Sequence, residues 1–150
     1  MKGNYAAFLS QRGGSYLDQA LQIALENFGQ AESLGLLYTR AEGRRTLAHV
    51  RLARGEADEA ERLCAEALEL VSSTESRVSR LWLGSIYMES LVAVCRKAIA
   101  DGDTEKANAK RARAQEHLAC YQELVAGCQS PFFKTEASRL ADLLGILQTR

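Results

Sequence analysis

The chain predicts an all-α protein built from tandem helical hairpins, about six or seven helices in one domain spanning residues 1–150. Three observations carry this. Alanine, leucine, glutamate and arginine dominate, and the 150 residues hold a single proline, the residue set that gives up least side-chain freedom in a helix. A short glycine-led segment recurs: Gly55-Glu56-Ala57-Asp58-Glu59-Ala60 returns as Gly102-Asp103-Thr104-Glu105-Lys106-Ala107, with a looser form, one residue longer, from Gly14 to Ala20. Between these segments apolar residues recur at helical spacing. With 47% apolar and 25% charged residues the chain has a globular balance and can bury a continuous core.

The elements follow from the punctuation. The first dozen residues hold a short helix, and the looser glycine segment opens a second from Ser15 to Phe28. A third runs from Ala31 to Arg54 and a fourth from Ala57 to Val71, joined at Gly55. Glycine accepts the left-handed conformation that ends one helix; the acids after it complement the unpaired N–H groups of the next, and the closing alanine permits close approach. Val71-Ser72-Ser73-Thr74 is the expected loop before a helix from Glu75 to Ala100, and Gly102 separates that from Thr104 to Ala126. Gly127 to Ser130 forms the last loop, and Ser130-Pro131 starts the final helix, to Gln148, with serine as cap and proline at the first position. No long linker and no domain boundary interrupts the series.

From Ala41 to Ser72 the chain reads AEGRRTLAHVRLARGEADEAERLCAEALELVS. This resembles a tetratricopeptide repeat. Leu47 and Ala48 match the leucine and small residue of the family's first helix; Gly55, Ala60 and Ala67 match its turn glycine and the small positions of its second; Cys64 takes a position of medium-sized residues. Arg44 and Arg51 stand where the family has large aromatics, and the spacings Ala20 to Ala60 (40 residues) and Ala60 to Ala107 (47 residues) exceed the family's unit of ~34. This elongated form is similar to the repeat arrays of bacterial signalling proteins, such as the sensor regions of ATP-dependent transcription activators. The resemblance implies a right-handed α-solenoid whose first helices line a concave groove.

Periodicity assigns the faces. Leu34, Leu37, Ala41, Ala48 and Leu52 form one stripe expected to be buried, and Leu36, Gly43, Leu47 and Val50 a second. Arg40, Arg44 and Arg51 run along the boundary, where a structural role outweighs an anion site. Tyr38, Glu42, Arg45 and His49 share a third face, which the resemblance turns into the groove, with Leu52 at its end; Glu89, Val92 and Arg96 are the equivalent positions in the next unit. Tyrosine and arginine supply much of the energy at binding surfaces, so these eight residues are the expected partner contacts, the plain alternative being a solvated helix face. Trp82, among Val78, Leu81, Ile86 and Met88, reads as core.

Other functions find less support. Nineteen basic and nineteen acidic residues leave no net field to draw nucleic acid or a membrane surface. No apolar run approaches the ~20 residues needed to span a bilayer and no secretory segment is evident, so the expected location is the cytoplasm. Cys64, Cys95, Cys120 and Cys128 read as reduced core thiols. His117 and Cys120 share a face but are too few for zinc. Lys106, Lys110, Arg111 and Arg113 form a basic cluster without interleaved aromatics, the pattern of a solvated face. No nucleophile, phosphate-loop, dinucleotide or metalloprotease motif is present, so no catalytic residue, metal or cofactor is expected. The expected function is non-catalytic binding of a partner peptide or helix, the alternative a small-molecule effector-sensing regulatory domain. The apolar final helix, with Phe132 and Phe133 near its start, is expected to pack inward as a cap; its alternative is self-association into a homodimer through terminal helices.

Overall fold

The computed structural model describes residues 2–72 and 76–148. Those residues form seven α-helices: α1 (Lys2–Arg12), α2 (Tyr16–Leu34), α3 (Leu37–Ala53), α4 (Ala57–Ser72), α5 (Arg77–Ala100), α6 (Thr104–Ala126) and α7 (Pro131–Gln148). The fold is all-α, with successive helices paired as hairpins, in two compact units, Met1–Ser76 and Arg77–Arg150. Ser73, Thr74 and Glu75, which the sequence assigns to a loop and a helix start, lie outside the described residues.

In the first unit α3 is the central helix, in contact with α1, α2 and α4. Turns form where glycine segments are expected: Gly13, Gly14 and Gly55 all have positive φ, where a Cβ is strained. Ala20 and Ala60, the small residues closing those segments, are fully buried. Close approach also explains Gly43, whose added Cβ would lie 3.0 Å from the Ala31 Cβ across the α2–α3 contact.

One helix boundary differs from expectation. Gly29 does not interrupt α2, which continues to Leu34 and ends at Gly35 (φ 71°), whose N–H donates to the carbonyls of Ala31 and Glu32. The physical reason is the left-handed cap: Gly35 closes the helix with these two bonds, whereas Gly29 stays helical. Leu34 therefore leaves the stripe assigned to α3. Leu34, Leu36 and Leu37, all expected in the core, are exposed around this junction, Leu36 at 63%.

The second unit is a three-helix arrangement in which α5, α6 and α7 each touch the other two. The α5–α6 hairpin turns at Gly102 (φ 74°), and the Asp103 side chain caps α6 by accepting from the Lys106 N–H at 3.0 Å. Along the hairpin the chains run antiparallel. Cys95 bonds the Ala107 carbonyl, the Arg113 Nε meets the Tyr87 hydroxyl at 3.3 Å, and His117 Nε2 pairs with the Gly84 carbonyl at 2.9 Å. Gly84 is required here, because a Cβ would sit 2.9 Å from the ring of buried Tyr121.

Helix α7 lies beside α5 in the same direction, with Trp82 against Phe132 and Phe133, Ser85 bonded to Glu136, and Glu89 bonded to Arg139. Phe133, Ala137, Leu140, Leu144 and Leu147 are buried, so α7 packs its apolar stripe inward. By length and composition α5 is apolar enough to cross a membrane, which reading the sequence for apolar runs misses; two thirds of that stretch is buried within its own unit, the pattern of a core helix. Trp82 is a correction to the expected core: it is exposed on one side and stacks on Phe132 and Phe133 at 5.2 Å. Its helical phase, shared with exposed Val78, places it on the outer stripe although Leu81, Ile86 and Met88 are buried. Cys64 and Cys95 are core residues, but Cys120 is exposed and Cys128 half-buried.

Candidate functional site

The face of α3 is set by what its other faces do. Ala41, Gly43, Arg44, Thr46, Leu47, Ala48 and Val50 are buried and surround the helix on three sides. Tyr38, Glu42, Arg45 and His49 occupy the remaining sector, where no described residue is fully buried. Tyr38 is 60% exposed; the other three and Leu52 are half-buried. The expected face is therefore brought together on one helix, and it ends in exposed Leu36 and Leu37, which the sequence reading placed inside.

Its chemistry is mixed. Arg45 donates through Nη2 and Nε to Glu42 at 2.8 and 3.1 Å, which orients both groups along the helix. Burial pushes the His49 imidazole down to about 4, with the Arg45 charge acting in the same direction. At neutral pH this ring is uncharged, with one nitrogen free to donate and the other to accept. The surface thus offers an apolar end, a phenol, an oriented ion pair and a neutral imidazole.

The arginines on the far side of α3 are structural. Buried Arg44 stacks over the Phe28 ring at 5.1 Å, donates to Glu32, and reaches Glu66 at 3.2 Å, tying α2, α3 and α4 together. Arg40 shares Glu32, and Arg51 pairs with Glu56 at 2.5 Å. These bonds to Arg44 and Arg40 hold the Glu32 carboxyl below its usual range, and Arg54 with Arg51 does the same for Glu56. Arg44 thus sits as a stacked cation between two carboxylates.

In the second unit the expected contacts do not form one face. Glu89 is half-buried and bonded to Arg139 at 2.5 Å. Val92 is 2% exposed and belongs to the core, which corrects its assignment as a contact: its helical phase turns it inward. Arg96 is exposed and lines a cavity of about 310 Å³ with Ile99, Ala100, Ile146 and Leu147. The sequence reading missed Ile99 and Ile146, for which the available signal is two isoleucines on outer helix faces.

His117 is occupied by the Gly84 carbonyl and stands edge-on to Tyr87 at 4.8 Å, while Arg113 pairs with Tyr87 and Glu116. Among the described residues no three histidine, cysteine or acidic side chains come together in a way that would hold a metal ion. The fold and the α3 face define a helical-repeat protein with a mixed apolar and polar surface. Comparison of the chain with protein-family models, with curated proteins and with solved structures returns no match.

Proposed function

We propose that this chain is a non-catalytic interaction module of tetratricopeptide type, and that the α3 face receives a peptide or helical segment of a partner protein. The observation that carries the reading is that Tyr38, Glu42, Arg45 and His49 share one sector of α3 in which no described residue is fully buried, with Tyr38 the most open of the four. The repeat assignment is supported by glycine-turned hairpins and by a third helix in each unit that packs against both members of the preceding pair. The partner chemistry follows from the surface. Leu36, Leu37 and Tyr38 suit an apolar or aromatic anchor, and the Glu42–Arg45 pair suits a flanking polar group of either sign.

Selection of peptides from a displayed random library against the whole chain tests this. Peptides recovered on the native protein should bind Tyr38→Ser and Arg45→Glu at least about thirtyfold more weakly, the loss of about 2 kcal/mol expected of a hot-spot residue, with circular dichroism unchanged. Equal binding by folded variants removes the face from consideration.

A further inference from the structure

Apart from the α3 face, the line along which α5 and α7 meet carries an unfilled position. The two helices run side by side, and their outer edge is closed step by step. Trp82 packs against Phe132, Ser85 donates to Glu136 at 2.5 Å, and Glu89 is met by Arg139 at 2.5 Å. Two helical turns beyond Glu89 the pattern has changed. Arg96, Ile99 and Ala100 share one face of α5, and opposite them the last turns of α7 present Ile146 and Leu147 rather than an acid.

The result is a cavity of about 310 Å³ with a floor at buried Leu147 and walls at Ile99 and Ile146, which remain 40% and 47% exposed. Its polar edge is Arg96. Arg40, Arg44, Arg45, Arg51, Arg54, Arg62, Arg113 and Arg139 all bind carboxylates, yet among the described residues Arg96 makes no hydrogen bond or ion pair. A guanidinium beside an apolar recess of this size is complementary to one ligand class, a carboxylate carrying a short aliphatic chain.

We infer that the α5–α7 cavity binds an aliphatic carboxylate, with the acid on Arg96 and the chain between Ile99 and Ile146. The ligand supplies the acidic partner that α7 omits at this step. Two sources share this chemistry, a free medium-chain acid and the C-terminus of a peptide ending in leucine.

Titration of the isotope-labelled whole chain with octanoate and with acetyl-Gly-Leu, followed by amide shifts, tests the inference. At least one ligand should give saturable shifts confined to the ends of α5 and α7, and the tighter of the two names the source. Arg96→Gln should weaken that ligand about tenfold or more, as should replacing the acid by an alcohol or amide. Ile146→Ser, which keeps the charge, should weaken the same ligand while leaving acetate unaffected. The inference is overturned if neither ligand saturates below about 10 mM, if the neutral analogue binds as well as the acid, or if Arg96→Gln binds as well as the native chain. Peptide binding at the α3 face is read separately, since Arg96→Gln leaves Tyr38 and Arg45 in place.

Discussion

Arg44 shows how one side chain holds three helices together. Its stem and planar head cover Phe28 as an aromatic would, while two carboxylates meet its hydrogen-bond donors. Because Glu32 and Glu66 both keep a route to water, removing the cation strands neither completely. Arg44→Ala should therefore lower unfolding free energy by about 1–2 kcal/mol in urea denaturation. His49 sets a pH dependence. Its folded value lies near 4 against an ordinary 6.5, so the unfolded chain takes up a proton first as pH falls. The His49 contribution is complete well above pH 6.5 and is lost as pH falls toward 4, by about 2.5 kcal/mol at pH 4.5. His49→Gln should remove most of that decline when denaturation is followed from pH 7 to 4.5, and the part that remains belongs to His117, whose imidazole burial also holds below its ordinary value. Further loss below the ordinary carboxyl value of 4.5 belongs to the depressed acids Glu32, Glu56, Glu59 and Glu136, whose stabilising pairs are protonated there.

Among the helices, glycines separate by role. Gly29 is interior to α2 with nothing within 4 Å of an added Cβ, so Gly29→Ala should raise stability by about 0.5–1 kcal/mol in thermal or chemical denaturation. Gly84→Ala should lower it by about 2 kcal/mol, because the Tyr121 ring must move and the α5–α6 hairpin must open. Were Gly29 a helix terminator, as its place in the sequence suggests, the first substitution would destabilise instead. Residue type alone does not separate the two: what distinguishes them is that Gly35 satisfies the Ala31 and Glu32 carbonyls.

Considered whole, the chain divides into Met1–Ser76 and Arg77–Arg150, each with its own buried set: Leu47, Val50, Leu63 and Cys64 in the first, Leu81, Leu83, Met88, Leu91 and Leu140 in the second. Expressed separately, each piece should retain helical circular dichroism and melt cooperatively, with the few kcal/mol of stability a core of this size provides. A piece without a cooperative transition would show that its core does not suffice alone.

The amino-acid sequence by itself determined the all-α class, the hairpin turns at Gly14, Gly55 and Gly102, and the start of α7 at Pro131, because caps, turn conformations and helical spacing act over a few residues. It also placed Tyr38, Glu42, Arg45 and His49 together, since one helix suffices to align them. Tertiary structure decided what several helices must jointly arrange: that Leu36 remains outside, that Val92 is buried while Arg96 is free, and that Trp82 stacks on α7. Burial is a property of the neighbour across the contact, and that neighbour is often some fifty residues away, as Glu89 is from Arg139.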